Sequence, residues 1–599
     1  MESSIKPTAK YAFEVSWEVC NKVGGIFTVL ESKAAQMASH YPHYYVVGPY
    51  FDDKTRGQFE EKPPPEDFKR VFAELEKQGI RCHFGTWLIQ GEPSAILIDF
   101  NGFWPQANRI KGELWKQYKI DSLGAGNDFT EPVLWSYAAG RLIELFSPVA
   151  REKIVVHFHE WLSGAGLLYL KREGTFATSN IASVFTTHAT VLGRTLAGNN
   201  IPLYAILETI DPEKEAYNYG VHSKHQLEKN AAKWTDCFTT VSEITGIEAE
   251  KFLLRKPDVI LPNGLDMQRF PTLEEVGIKH RLQRDKIREF LLYYFFPYYT
   301  FDVKNTLFYF IFSRYEFHNK GIDLSIKALG LLNRRLKEDK SRKTIVAFFW
   351  IPTEVRGIKT GLLEVREMFR DINESLKEVE YETEENILYA LLSDEKFERT
   401  DLFEKGFLRE VKKKILRMRR NGIPPAATHD VADPNDVILR SFRDEGLENK
   451  TEDRVKVIFY PIYLTGSDGL LNLSLYECIG GSHLGIFPSF YEPWGYTPLE
   501  AAAFGVPAIT TDLSGFGRFC LKKNTHPTNP GVFVLERQDK SDAEATHDLF
   551  KILLYYSQAS NEERGENKVH AREIAQLADW KILITHYIEA HNMAIERRL

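Results

Sequence analysis

The run Tyr491-Glu492-Pro493-Trp494-Gly495-Tyr496-Thr497-Pro498-Leu499-Glu500-Ala501-Ala502-Ala503-Phe504-Gly505-Val506-Pro507-Ala508-Ile509-Thr510 reads as loop, helix and strand in immediate succession. Glu492 precedes a proline, which disfavours helical backbone and puts it in an extended or turn segment. Pro498 and Glu500 suit the first turn of a helix, where a missing backbone N–H is tolerated. Residues 501–504 carry the helix on, Gly505 is placed to cap its carboxyl end, and residues 506–510 read as a strand. Helix followed by buried strand is the unit of a parallel α/β sheet. The two carboxylates are therefore presented differently: Glu492 from a loop towards a cleft, Glu500 from a helix start, tied to a ligand or to backbone donors.

The same alternation extends in both directions. Before about residue 270, strand candidates occur at 44–47, 153–157, 182–186 and 237–241. Polar turns follow, among them His159-Glu160-Trp161, Thr187-His188-Ala189-Thr190 and Ser242-Glu243. A second series begins near Asn305, with candidates at 307–312, 344–350, 455–459, 485–487 and 506–510. The Pro262-Asn263-Gly264 turn is a natural handover between the two. The expected fold is α/β, with two Rossmann-like domains (residues 1–270 and 271–574) facing a cleft. Ligands in such sheets bind beyond the carboxyl ends of the strands.

The second domain carries an insertion at about 355–425, rich in Glu, Lys, Arg and Leu. Within it Leu362, Val365, Phe369, Ile372, Leu376 and Val379 are spaced as a heptad seam. The seam suits either a partner helix or a helix lying on its own domain. Packing between molecules is the reading taken, helped by a second helical stretch at 407–420.

The chain has 599 residues and a formal charge of −7, with 43% hydrophobic and 27% charged residues. That is ordinary for a soluble protein of several domains and provides no general field for nucleic acid or an anionic membrane. Any phosphate must be met by a few placed cations. The five cysteines are widely separated with no Cys-x-x-Cys, which argues against a disulfide framework or structural zinc. Residues 1–10 lack the apolar core of a signal peptide, and no run is long and apolar enough to span a membrane, so a cytoplasmic location is expected.

Paired carboxylates suit glycoside hydrolysis, but their neighbours favour another reaction. Arg314 and Lys320 lie in Ser313-Arg314-Tyr315-Glu316-Phe317-His318-Asn319-Lys320-Gly321, between a strand and a helix. A guanidinium fork and an ammonium point charge placed there suit a diphosphate. A transferase with a nucleoside-diphosphate leaving group uses such cations, because negative charge grows on the departing oxygens. Two glycine loops, Lys22-Val23-Gly24-Gly25 and Ser514-Gly515-Phe516-Gly517, could bring backbone N–H groups to an anion. His157 and His159 are read as facing opposite sides of a strand, so no shared ion is expected. His159 is assigned to sugar hydroxyls and His157 to packing. The chain contains no Asp-x-Asp, so neither a metal nor any other cofactor is expected.

Several longer stretches resemble one family. They are Phe13-Glu14-Val15 with Asn21-Lys22-Val23-Gly24-Gly25-Ile26, His157-Phe158-His159-Glu160-Trp161-Leu162, Phe185-Thr186-Thr187-His188-Ala189-Thr190 with Leu192-Gly193-Arg194, Leu261-Pro262-Asn263-Gly264-Leu265, Arg314-Tyr315-Glu316 with Asn319-Lys320-Gly321, and Tyr491-Glu492-Pro493-Trp494-Gly495-Tyr496-Thr497-Pro498. In order and across nearly the whole chain they are similar to the eukaryotic-type, UDP-glucose-using glycogen synthases. The resemblance implies a GT-B fold and transfer of glucose from UDP-glucose to the 4-hydroxyl of an α-1,4-glucan end, with retention. It implies Arg194, Arg314 and Lys320 on the diphosphate, with Lys22 where the family often has arginine. It puts Glu492 beside the transferred glucose, Glu500 on the ribose and His159 on the sugar. His188, Tyr496, Thr497, Gly24, Gly25, Ser514 and Gly515 complete the expected substrate-binding set. It further implies a front-face reaction in which the leaving phosphate takes the acceptor proton, a last helix (575–599) packed on the first domain, and tetramers through the heptad segment. A glycogenin-like primer protein is a candidate partner.

The sequence departs from that pattern in two places. Regulated members carry an arginine cluster near the carboxyl end that binds glucose 6-phosphate, whereas the last helix here has arginine only at Arg597 and Arg598, so weak or absent activation is expected. The uracil-stacking tyrosine is replaced near Leu475, with Tyr476 beside it. Two alternatives stand beside the leading reading: a GT-B enzyme using ADP-glucose, and a non-catalytic glucan-binding scaffold.

Overall fold

A computed structural model describes residues 5–172, 180–393 and 402–599. The first lobe is built on a nine-stranded sheet: β1 (Tyr11–Val15), β2 (His43–Pro49), β3 (Phe59–Glu61), β4 (Arg81–Trp87), β5 (Ser94–Asp99), β6 (Ile154–His159), β7 (Ile181–Thr187), β8 (Cys237–Thr240) and β9 (Val259–Ile260), in the order β3-β4-β5-β2-β1-β6-β7-β8-β9. All pairings are parallel except β3/β4 and β4/β5 at one edge. The second lobe has six parallel strands: β10 (Leu307–Phe312), β11 (Ile345–Trp350), β14 (Val455–Tyr460), β15 (Leu484–Ile486), β16 (Ala508–Thr511) and β17 (Val532–Leu535), in the order β14-β11-β10-β15-β16-β17. Every residue of β6, β7 and β11 is buried. A parallel sheet covered by helices on both faces requires such continuous apolar strands.

The last helix, Trp580–Arg598, crosses back onto the first lobe against β6, β7 and β8 and the helix Gly25–His40. It is pinned there by polar contacts as well as packing. Trp580 Nε1 donates to Ser32 Oγ at 2.7 Å, and the Tyr41 hydroxyl meets His591 Nδ1 at 2.7 Å. The helix Leu273–Phe295, which opens with a Thr272/Glu275 capping box, packs on the second lobe. All five cysteines are free thiols. Among the described residues no helix is long and apolar enough to cross a membrane.

The insertion is bounded by a short antiparallel ribbon, β12 (Val355–Ile358) with β13 (His429–Val431), and contains helices Thr360–Glu378, Glu380–Ser393 and Lys405–Met418. Here the intermolecular reading of the heptad seam is corrected. Leu362, Val365 and Ile372 are buried against Met418 and the second lobe's own core, and Phe369 packs on Tyr293. The 3-4 spacing arose because the helix lays one stripe on its own domain. Apolar residues left facing solvent include Leu376 near the end of the seam, Ile415 and Leu416 on the third helix and, most densely, Tyr381, Leu388, Tyr389, Leu391 and Leu392 on the helix Glu380–Ser393.

Candidate active site

Between the lobes lies a cleft of about 780 Å³ lined by both. The first lobe contributes Gly24, Gly25, Glu160, His188 and Arg194. The second contributes Arg314, Lys320, Glu492, Tyr496 and Thr497. The volume falls in the range typical of small-molecule sites.

Two loops of the second lobe are fastened to each other. Phe490 N–H donates to the Asn319 carbonyl at 2.8 Å, and Asn319 Nδ2 donates to Glu316 Oε2 at 2.6 Å. Gly321, at φ +67°, admits no side chain, since a Cβ there would sit 2.2 Å from the Pro488 carbonyl oxygen. This close approach brings Lys320 to Glu492, with Nζ donating to Oε2 at 2.6 Å. Arg314 remains 76% exposed, its fork held by Glu316 at 2.9 Å. Gly495, at φ +106°, turns the chain into the helix Tyr496–Ala503, and Gly505 at φ +68° follows that helix's end.

On the other wall Arg194 opens to the cleft from the helix Val191–Gly198, whose N-cap is Thr190. Partial burial pulls its guanidinium down, but Glu160, Tyr491, Glu228 and Glu18 together push its pKa above the usual value. Arg194, Arg314 and Lys320 thus line one cavity from both lobes. Lys22 is exposed near Phe27, outside the cleft lining, and its charge favours the ionised form of Glu500. Glu500 itself is pushed up to about 7 by burial, with the Tyr476 hydroxyl donating to it at 3.0 Å.

Three sequence expectations are corrected by this geometry. His159 does not reach the cleft: it is 1% exposed, with Nε2 on Glu14 Oε1 at 2.7 Å and Nδ1 on His188 Nε2 at 2.9 Å. His188 is the imidazole that lines the cavity, with His159 directly behind it. His157 and His159 share a face, with ring centroids 4.2 Å apart, because residues two apart on a strand point the same way. Together with Glu14 they form a metal-like cluster, but the Lys33 ammonium already occupies Glu14 as its cation. Lastly, the glycine loops have few donors to spare. Gly515 N–H donates to Glu492 O, Phe516 N–H to Trp494 O and Gly517 N–H to Ser514 Oγ, so Ser514 and Gly515 brace the Glu492 loop from behind the cleft wall. Gly24 and Phe27 N–H groups are both taken by Glu18 Oε2 at 2.8 Å.

Two features escaped the sequence reading. Tyr463, in the loop after β14, is 72% exposed at the cleft. An isolated tyrosine in a loop carries no periodicity that could have marked it. Away from the cleft, Arg284 and Arg288 on the helix Leu273–Phe295 meet Arg564 and Lys568 on the helix Asn561–Gln576. Burial and like-charge repulsion bring Arg284 down to about 10 and Lys568 to about 8. The residues come from segments almost 300 positions apart, so only the fold reveals the group.

Comparison with known proteins gives these residues a context. The glycogen synthase family profile matches residues 14–599. Human liver glycogen [starch] synthase is 36% identical over 592 residues, covering 98% of this chain and 83% of that one. Glycogen [starch] synthase isoform 2 of Saccharomyces cerevisiae is 35% identical over 612 residues, covering 98% and 86%. Among solved structures, the catalytic domain of starch synthase IV from Arabidopsis thaliana, bound to ADP and acarbose, aligns over 98% of this chain and 100% of that one. Its TM-score is 0.54 at 14% identity, a likeness of fold. A family match across almost the entire chain, on a GT-B frame whose cleft collects cations from both lobes, gives the identity: the chain belongs to the glycogen synthase family and is a glycosyltransferase.

Proposed function

We propose that the chain transfers glucose from UDP-glucose to the non-reducing 4-hydroxyl of an α-1,4-glucan with retention of configuration. The observation that carries this is the Lys320–Glu492 contact in a cleft also lined by Arg194 and Arg314. The cations stabilise the departing diphosphate while Glu492 orients the sugar. The bond from glucose C1 to the β-phosphate oxygen breaks as the acceptor O4 bonds to C1 on the same face, and the O4 proton passes to the leaving phosphate. His188 meets the sugar from the first lobe, with His159 supporting it. Glu500 accepts from the ribose hydroxyls, and Tyr463 offers its ring to the base.

Three cations provide the charge that another architecture obtains from a divalent ion, so activity is expected to be unaffected by EDTA. The deciding assay is UDP release with UDP-glucose and glycogen, with ADP-glucose as competing donor. Preference for ADP-glucose would favour the alternative donor, and no turnover with either would favour a scaffold. Glucose 6-phosphate is expected to stimulate weakly, since Arg597 is committed to Asp258 at 2.9 Å and to the Asp236 carbonyl. Many-fold stimulation would overturn this and would point to the Arg284/Arg564/Lys568 group as the effector site.

The assignment of Glu500 has a pH signature. An acceptor of ribose hydroxyl protons works ionised, so the donor KM is expected to rise as pH falls through about 7, and Glu500→Gln to flatten that dependence. An unchanged pH profile in Glu500→Gln would remove Glu500 from the donor site. We also place the chain in the cytoplasm, as a homotetramer that works with a glycogenin-like primer. The exposed apolar residues of the helix Glu380–Ser393 support the oligomer. Leu388→Glu/Leu392→Glu is expected to give a smaller species by light scattering, and an unaltered mass would exclude that helix from the contact.

A further inference from the structure

Glu248, on the helix Glu243–Phe252 of the first lobe, is fully buried and accepts three hydroxyl hydrogen bonds. Tyr204 donates to Oε1 at 2.7 Å, Thr190 to Oε2 at 2.8 Å and Tyr491 to Oε2 at 3.1 Å. Tyr491 belongs to the second lobe and is the residue immediately before Glu492. Its ring is 4% exposed, and among the described residues it is the one buried member from the second lobe in an apolar cluster otherwise drawn from residues 13–253. Thr190 is the N-cap of the helix that carries Arg194, accepting from Gly193 N–H at 3.0 Å. The fit is close: a Cβ on Gly193 would lie 2.3 Å from Glu248 Oε2 and 2.4 Å from Thr190 Oγ1. The lobes touch again where the same helix begins. A Cβ on Gly515 would lie 2.6 Å from Ser242 Cβ, and Lys522 pairs with Glu243.

We propose that Glu248 is a positioning residue that works across the cleft, fastening the Tyr491–Glu492 loop of one lobe to the helix cap that presents Arg194 in the other. This rests on the roles given above to Glu492 and Arg194. A carboxylate suits the task because it can accept from several hydroxyls at once. Burial pushes Glu248 up to about 7, while Tyr204, Thr190, Tyr491 and Arg194 favour its ionised form. Two groups that must bracket one reacting carbon gain from a shared anchor, because a displacement of about 1 Å can cost roughly 10²-fold in rate.

The test compares two tyrosines on one carboxylate. Tyr491→Phe removes the hydroxyl that crosses between lobes, and Tyr204→Phe removes one that stays within the first. Tyr491→Phe is expected to lower kcat by roughly 10–10²-fold with little change in donor KM or thermal midpoint. Tyr204→Phe should leave kcat close to the parent value. Glu248→Gln combined with Tyr491→Phe should be no worse than the more damaging single change, as expected for residues acting as one unit. Equal losses from the two tyrosines, or none from Tyr491→Phe, would overturn the proposal. Lys320→Ala, assayed in parallel, separates the failures: if it is inactive and Tyr491→Phe is normal, only the anchor is wrong, whereas normal turnover in both removes the reading of the cleft itself.

Discussion

Lys320→Ala is expected to lower kcat by roughly 10²–10³-fold while the protein stays folded. The side chains of Lys320 and Glu492 are 13% and 25% exposed, so this is a pair on a cleft wall with access to water. Ion pairs with solvent access contribute about 0–1 kcal/mol to stability, and the thermal midpoint should hardly move. The effect on rate has a different origin. As the diphosphate departs, charge accumulates on oxygens that Lys320 can reach with a strongly hydrated point charge, whereas Arg314, being largely exposed, is partly screened by solvent. Steady-state rates at saturating donor and glucan, with the melting midpoint measured on the same sample, decide it. A near-normal kcat, with Tyr491→Phe impaired, would mean that Arg194 and Arg314 carry the leaving group alone.

The sequence was most informative where local chemistry dictates local structure. The stretch from Glu492 to Thr510 became loop, helix and strand as read, because Pro493, Pro498 and Gly505 constrain the backbone whatever surrounds them. The second lobe's parallel sheet followed from apolar runs such as Phe308–Phe310 and Val346–Phe349, which are stable as strands only when covered on both faces. Reading failed where the answer depended on what lies opposite. The heptad spacing of Leu362, Val365 and Ile372 specifies an apolar stripe but not whose surface covers it. Ser514-Gly515 has the composition of an anion loop, yet its N–H groups are already consumed, Ser514 N–H by the Thr511 carbonyl and Gly515 N–H by the Glu492 carbonyl. His159 stands in a motif rich in polar residues, but β1 and the helix Gly25–His40 place Glu14 and Lys33 against it, so it lies behind His188 and does not itself face the cleft. His157 and His159 share a face for a reason already present in their spacing, since residues two apart on a strand point the same way.

That buried group carries the largest expected effect on stability. Lys33→Met should cost about 3–5 kcal/mol, because it strips the cation from a carboxylate that has no water to fall back on. The side chains of Lys33 and Glu14 are 0% and 1% exposed. Glu14 also accepts from Tyr44 and from His159 Nε2, but these are neutral donors, since burial holds His157, His159, His188 and His591 below the usual imidazole range. No neighbouring imidazole can replace the lost charge without taking up a proton at an unfavourable site. Methionine preserves the unbranched bulk over the Tyr587 ring, which lies 4.7 Å from the Lys33 ammonium, so the loss should be electrostatic in origin. Its pH dependence provides the check. Burial opposes ionisation of Glu14, but Lys33 and His159 outweigh it and hold the carboxyl well below its usual range. In the parent protein this contribution is therefore present above the unfolded carboxylate pKa and lost as pH falls through the folded value. In Lys33→Met the sign reverses. An unpaired buried carboxyl has a raised pKa, the folded state binds the extra proton, and the variant should recover stability relative to the parent as pH is lowered. Urea midpoints measured across the acid range should converge, and Glu14→Gln should rescue Lys33→Met at neutral pH. Midpoints that stay parallel at every pH would show that Lys33 contributes only packing.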